Sequence, residues 1–395
     1  MFKKSRVYLD YAAATPLSKE AFSAMKPFLV SSFANASAIH KEGVEARRAV
    51  EEARGRVATT LQVRPEFVTF TSGGTESNNL AIIGTIEKLI YQGRSFADME
   101  VVTTEIEHPS VMNTMKALEA RGVVVKYVSV DSDGFVKIEE LQKMLSEKTV
   151  LFSVAYANSE IGVVQKVHAI KKALDAAEKK FGTKIMFHLD AAQAPLWLSC
   201  KFDSLNADLL ALDVGKCHGP KGVGILVRSR RATLGPTLFG GGQESGLRPG
   251  TENVAGMIGA SVSLVEAQKD FKTRAEKVMK VRDGVIGHLL KEIPQAVLNG
   301  PTGEQRLANN INISIPGLDT EFATVVLDKH GFAVSTKSAC AGAGGGESVV
   351  VQVISCDPAR SHSTLRISLS PETTLQNLKD LTKVLKAHID MMVKY

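Results

Sequence analysis

The chain has 395 residues, 44% hydrophobic and 23% charged, which is enough for a sizeable core divided between two domains. Its formal charge of +6 is spread along the sequence without a Lys/Arg block or interleaved aromatics, so direct nucleic-acid binding is not expected. The four cysteines, Cys200, Cys217, Cys340 and Cys356, show no CxxC spacing, which argues against a disulfide framework and against a metal centre.

The N-terminal run Met1-Phe2-Lys3-Lys4-Ser5-Arg6 is basic but leads into Tyr8, Asp10 and Tyr11 rather than an apolar stretch. No signal peptide is expected, and no run is long enough to span a membrane. With free thiols, this points to a reducing compartment, the cytoplasm. Residues 43–61 carry Val44, Ala46, Val50 and Val57 at helical spacing among Glu and Arg. Helix and strand patterns then alternate. Strands are predicted at 67–71, 100–104, 123–128 and 149–154, with helices at 76–91, 109–121, 137–146 and 166–180. Three more strands follow at 184–189, 207–212 and 223–228. The alternation predicts an α/β fold with a mostly parallel sheet covered by helices. Ligands of such sheets bind at the carboxyl ends of the strands. Ser72-Gly73-Gly74-Thr75, His108, Asn158, Asp190 and Lys216 all fall at such ends. Gly240-Gly241-Gly242 and Gly250-Thr251 punctuate a loop, and one long charged helix is expected over 254–291. Beyond it, Asn310-Ile311-Asn312-Ile313-Ser314-Ile315 and Leu365-Arg366-Ile367-Ser368-Leu369 alternate as strands of a smaller α+β domain.

Thr71-Ser72-Gly73-Gly74-Thr75-Glu76 ends a strand and opens a helix. Its glycines let the backbone approach an anion, and the helix N-terminus offers free N–H groups; a capped helix after a tight turn is the plainer reading. His108 precedes a proline-started helix and has the chemistry to stack on an aromatic ring and shuttle protons. Asn158 and Gln193 are turn and helix-start residues that also suit a phenolic oxygen.

The run His188-Leu189-Asp190-Ala191-Ala192-Gln193 closes an apolar strand on an acid, and Asp213-Val214-Gly215-Lys216 places a lysine just after the next strand. Pyridoxal 5'-phosphate needs those two groups: an amine for the Schiff base and a carboxylate for the pyridine nitrogen. Lys221 lies in the same glycine-rich turn, but Lys216 stands at the ligand edge. Arg366 suits a carboxylate clamp or a surface strand. Cys340 lies between the polar run Ser335-Thr336-Lys337-Ser338 and the tract Ala341-Gly342-Ala343-Gly344-Gly345-Gly346, with Lys337 nearby to favour its thiolate. It ranks ahead of Cys217 as a nucleophile, whereas Cys200 and Cys356 read as structural.

These motifs, in this order, resemble the cysteine desulfurases, fold-type-I pyridoxal-phosphate enzymes of the class V aminotransferase group. The likeness runs from Tyr8-Leu9-Asp10-Tyr11-Ala12-Ala13-Ala14-Thr15-Pro16 to His362-Ser363-Thr364-Leu365-Arg366. The Ser338-Ala339-Cys340 loop is similar to the longer-loop members that feed iron–sulfur assembly and tRNA thiolation. The resemblance implies a large cofactor domain with a seven-stranded sheet over residues 12–257, and a small domain of 1–11 and 258–395. It implies that Lys216 holds the cofactor, Asp190 faces its ring nitrogen, Gln193 and Asn158 reach its phenolic oxygen, and His108 stacks on it. The turn at Gly74 and Thr75 takes the phosphate, joined by Thr251 from the partner subunit of a homodimer. Arg366 and Asn35 bind the carboxylate of L-cysteine, and Cys340 takes its sulfur for an acceptor protein, an iron–sulfur scaffold or a tRNA-thiolation enzyme.

The sequence departs from the family where Ser-x-His-Lys is common. Asp213 and Gly215 stand in for the serine and histidine, which removes a phosphate donor and brings a carboxylate close. His218 replaces a usual tyrosine and is expected to supply part of the lost grip. Ser159 replaces a second asparagine. Two rival readings stay open: a selenocysteine lyase or other β-elimination enzyme on the same fold, and a degenerate homologue acting as a scaffold.

Overall fold

A computed structural model describes residues 6–336 and 347–392; Cys340 and the glycine tract after it lie outside the described residues. The chain starts with a short strand, β1 (Val7–Tyr8), and the helices α1 (Lys19–Val30) and α2 (Lys41–Leu61). Strands β2 (Val68–Thr71), β3 (Glu100–Thr104), β4 (Val124–Val128) and β5 (Thr149–Ala155) follow, then β6 (Met186–Asp190), β7 (Leu209–Asp213) and β8 (Gly224–Arg228). Between them run α3 (Gly74–Tyr91), α4 (Pro109–Ala120), α5 (Ile138–Met144), α6 (Val167–Phe181) and the short α7 (Phe202–Leu205).

β2 to β8 form a seven-stranded sheet in the order β2-β8-β7-β6-β5-β3-β4. β8 is antiparallel to both its neighbours and the other pairs are parallel, so the sheet is mostly parallel as the alternation predicts. Every residue of β5 and β6 is buried. This is the mark of central parallel strands covered by helices on both faces. The register sets Ala155 opposite Asp190, and Asp190 opposite Ala211, so these strand ends lie abreast.

The chain leaves this sheet through α8 (Val254–Lys269) and α9 (Phe271–Glu292), two helices where one was expected. The break falls at Asp270, whose backbone (φ −127°, ψ 25°) is not helical. Arg274 secures it by donating to the carbonyls of Ala267 at 2.8 Å and Leu196 at 3.0 Å, so the last turn of α8 is capped by a side chain from α9. Helix α1 had no sequence signal. Its inward stripe, Ala21, Ala24, Met25 and Phe28, is mostly half-buried and is interrupted by exposed Phe22, Leu29 and Val30, with Pro27 inside the helix, so the apolar pattern is blurred.

A second sheet has the order β12-β10-β9, all antiparallel, from β9 (Val297–Leu298), β10 (Asn310–Ser314) and β12 (Thr364–Ser368). β11 (Phe332–Ala333) pairs parallel with β1. Helices α10 (Thr320–Lys329), α11 (Val349–Ser355), α12 (Pro358–His362) and α13 (Leu375–Met392) complete this region. The alternation in β10 and β12 predicts one wet face, yet both strands are buried throughout. The polar face of β12 is covered by the N-terminal segment: the Ala12 N–H donates to Ser368 Oγ at 2.9 Å, and Arg366 reaches Asp10. No helix among the described residues is long and apolar enough to cross a membrane.

Candidate active site

The carboxyl ends of the central strands open into one cleft. Gly74, Thr75, His108, Asn158, Asp190, Gln193 and Lys216 all line it. Residues from five separate stretches of sequence thus converge where an open α/β sheet offers its ligand site.

Asp190 ends β6 and is buried. Its Oδ2 accepts from Asn78 Nδ2 at 2.8 Å, and its Oδ1 accepts from the Ala192 N–H at 3.0 Å. Asn78 Nδ2 also donates to Ser110 Oγ at 2.9 Å, and Ser110 Oγ lies 2.8 Å from His108 Nδ1. A single hydrogen-bonded line therefore runs from the acid to the histidine. The sequence reading missed Asn78 and Ser110. The available signal was spacing: Asn78 follows Thr75 by three residues on α3, which puts both on one face.

His108 is the N-cap of α4, with Pro109 in the first helical position. Its Nδ1 accepts from the Ser110 N–H at 3.1 Å, which assigns the proton of the neutral ring to Nε2. Burial lowers the pKa of the ring, partly opposed by the Asp190 charge, and so favours that neutral form. Behind it, Glu107 is buried. Its Oε1 accepts from Thr104 Oγ1 at 2.6 Å and its Oε2 from the Ala155 N–H at 2.7 Å. Burial pushes its carboxyl up to about 8. This acid ties the loop carrying His108 to the end of β5.

At the other end, α3 begins at Gly74 after Gly73, whose φ of 156° keeps the turn open. A Cβ on Gly74 would stand 3.2 Å from Asp213 Cβ, so the helix start and the Lys216 turn pack tightly with a bare backbone edge between them. Thr75 is exposed there. Asp213 lines the cleft as well, and its Oδ1 turns back to accept from the Gly215 N–H at 3.0 Å, capping the single turn Val214–Lys216 that presents the lysine. Lys216 is half-buried. Lys221, its rival in sequence, donates instead to the Thr15 carbonyl.

Of the remaining candidates, Asn158 and Gln193 line the cleft, while Asn35, His218, Thr251 and Arg366 do not. Asn158 and Gln193 are buried at its wall. Asn158 Oδ1 accepts from the Glu160 and Ile161 N–H groups, and Gln193 Nε2 donates to the Ala12 carbonyl at 3.0 Å. Asn35 is exposed, and its Oδ1 accepts from the Ser37 N–H. His218 has a left-handed backbone (φ 62°), and its Nδ1 lies 3.1 Å from the Pro16 carbonyl. Thr251 is exposed in the loop before α8. That loop is pinned by Glu244, whose carboxylate takes two hydrogen bonds from Arg54, at 2.6 and 2.8 Å, and one from the Phe70 N–H at 2.7 Å. Arg366 is only 1% exposed, not on a wet face, and donates to Asp10 and to the Ser159 carbonyl.

Of the described cysteines, Cys217 is buried beside the lysine turn. Burial pushes its thiol up to about 12, which leaves it a poor nucleophile despite its position. Burial raises the Cys200 thiol as well. Cys356, read from sequence as structural, is exposed and has a left-handed backbone at the end of α11.

The donor set fits pyridoxal phosphate: an amine on a short rigid turn, a carboxylate fixed by two N–H donors, a histidine over the same cleft, and a bare helix N-terminus for an anion. Asp213 opposes an anion there, and so does Glu76 in the first turn of α3, whose Oε2 accepts from the Ser72 N–H at 2.6 Å. Comparison with known proteins agrees. A family model described as aminotransferase class-V matches residues 7–381. The chain is 38% identical over 389 residues to cysteine desulfurase IscS of Dictyoglomus turgidum, covering 98% of this chain and 96% of that protein. Among solved structures it resembles a NifS-like protein with a TM-score of 0.89 and 32% identity, covering 98% of this chain and all (100%) of that one. It also resembles SspA in complex with cysteine, with a TM-score of 0.77 and 31% identity, covering 92% and 99% of the two chains.

Proposed function

The chain belongs to the class-V aminotransferase family, among its cysteine desulfurases, and we propose that it moves the sulfur of L-cysteine onto Cys340 with pyridoxal phosphate held around Lys216. The observation that carries this is the convergence of Asp190, Lys216 and His108 in one cleft beside the N-terminus of α3. Lys216 would carry the cofactor, Asp190 would face its ring nitrogen, and Gln193 and Asn158 would lie along the phenolic side. The first turn of α3, with Gly74 and Thr75, would take the phosphate, and the exposed Thr251 suits a second copy of the chain.

Bound there, the cofactor supplies an electron sink beside the substrate's α-carbon. The protein's own residues do the rest. Asn78 and the Ala192 N–H keep Asp190 aimed and compensated in a buried setting. The line through Ser110 fixes the plane of the His108 ring. Lys216 Nζ takes the α-proton, the role of a base on a short rigid turn. Arg366 holds the substrate's carboxylate. Cys340 Sγ, as thiolate, would form the new S–S bond while the substrate's Cβ–S bond breaks; the bonding pair stays with the carbon fragment, which takes up protons, one of them returned by Lys216, to give alanine, and the sulfur stays on Cys340 as a persulfide. The acceptor is a protein of iron–sulfur assembly or of tRNA thiolation, and the free cysteines suit the cytoplasm.

Cys340→Ser tests the reading. It should keep the cofactor's visible absorbance and abolish alanine and sulfide release from cysteine. Alanine release at the wild-type rate would overturn it, and turnover of selenocysteine alone would favour the lyase reading.

A further inference from the structure

Arg366 is the proposed seat of the substrate's carboxylate, and the role inferred here for Asp10 depends on that assignment. The Arg366 guanidinium is already engaged. Nη2 donates to Asp10 Oδ1 at 2.9 Å, and Nη1 donates to the Ser159 carbonyl at 3.2 Å. Among the described residues Nε, which is buried, has no partner. Of five N–H donors, two are used by described residues. The Arg366 side chain is 2% exposed and that of Asp10 19%, so the acid is the more exposed partner of the pair. Both are fixed by backbone. Asp10 bridges Ser368, two residues along β12, and Arg366 exchanges backbone hydrogen bonds with Ser335 at 2.7 and 3.1 Å.

A guanidinium at this depth must find acceptors: those of Arg306 are carbonyl oxygens, whereas Arg366 also has a counter-charge. Asp10 supplies it through one hydrogen bond to Nη2, whereas the strongest carboxylate mode uses two parallel N–H donors. The unused Nε marks an arginine with capacity to spare. We propose that Asp10 is a built-in counter-carboxylate: it keeps Arg366 balanced and oriented in the resting enzyme and yields its hydrogen bond to the α-carboxylate of the incoming amino acid. No covalent bond changes; one carboxylate exchanges for another on the same donor. Asp10 thereby holds down the affinity for carboxylate-bearing ligands, the substrate among them, whereas a thiol without a carboxylate leaves the Asp10–Arg366 pair intact. Asp10 is a positioning residue, acting through Arg366.

The test uses the full-length coloured enzyme and L-alanine, which has the amino and carboxylate groups and no sulfur. Binding is read by absorbance titration, and KM and kcat for L-cysteine are measured beside it. Asp10→Asn removes the competing charge and keeps the shape. It should bind L-alanine roughly three- to tenfold more tightly and lower KM for L-cysteine by a similar factor, with a smaller change in kcat. Asp10→Ser is the second variant should the amide fail to fold, with the same expected direction. Titration of the folded variants at wild-type affinity or weaker overturns the proposal. Arg366→Gln separates the two levels. It should weaken L-alanine by at least about tenfold; if it does not, the carboxylate reading of Arg366 fails, whatever Asp10 does.

Discussion

Asp190 and Arg366 are both buried charges, the first lining the cleft and the second bonded to Ser159 at its wall, yet neutral donors hold the first and a counter-charge holds the second. Asp190 takes its hydrogen bonds from an amide side chain and a backbone N–H, neither of which can leave or titrate. Arg366 is balanced by Asp10, a partly exposed carboxylate on a different segment of chain. Neutral donors suit a group that must stay aimed through every turnover. A counter-charge suits a group that must exchange partners, because a second carboxylate can replace the first. On the proposed assignment, the Asp190 end would be built for permanence and the Arg366 side for exchange.

That contrast can be broken from the permanent side. Lys216→Ala should remove the visible absorbance of the bound cofactor and cut alanine formation by on the order of 10³ or more, since a positioned base contributes at least about 10²; a coloured, active variant would contradict the site. Asn78→Ala leaves Asp190 with one donor fewer and frees Ser110. It should destabilise the fold by about 1–3 kcal/mol in chemical denaturation and loosen the cofactor. Wild-type stability and cofactor affinity would show that Asp190 does not depend on it.

Glu107 gives a pH prediction. Its carboxyl is raised to about 8 by burial, from an unfolded value of 4.5. The native state then binds the extra proton, so this contribution to stability is full below pH 4.5 and is lost as pH rises through about 8. His188 has the opposite sign. Burial holds its ring down at about 4, from 6.5, so its contribution is present above 6.5 and is lost as pH falls toward 4. The two oppose each other between 4.5 and 6.5, and Glu107 acts without His188 above that. Glu107→Gln should therefore flatten the decline in stability between pH 6.5 and 8, a difference of about 2 kcal/mol. Parallel denaturation curves for variant and wild type across that range would count against a buried, raised Glu107.

Asp213→Ser is the smallest effect. Removing the carboxylate that lines the anion end should tighten pyridoxal phosphate by roughly three- to tenfold in equilibrium dialysis, since the site is partly open and screened. Weaker binding would mean that the Asp213 cap on Gly215 matters more than its charge.

Much of this was legible in the chain. Strand β3 falls at 100–104 as the apolar run predicts, and the residues at strand ends reach one cleft because a parallel sheet brings its carboxyl ends together. Lys216 could be preferred over Lys221 from its place after β7 alone. What sequence could not show are contacts between distant segments. Asp10 and Arg366 lie 356 positions apart, and nothing local distinguishes a buried arginine on an alternating strand from a surface one. Asn78 looks like any polar residue in a helix until Asp190 is placed opposite it. The break at Asp270 depends on Arg274 reaching back to carbonyls of α8, which helical periodicity does not record. Cys340 stands on motif and setting, and it is there that the chemistry most needs a direct reading.

Mass spectrometry of the intact coloured enzyme, quenched after a single turnover with L-cysteine and digested under non-reducing conditions, gives that reading. One added sulfur atom is expected on the peptide containing Cys340 and none on those containing Cys200, Cys217 or Cys356. Alanine formed in stoichiometric amount with the extra sulfur on Cys356, or on no cysteine, would contradict it.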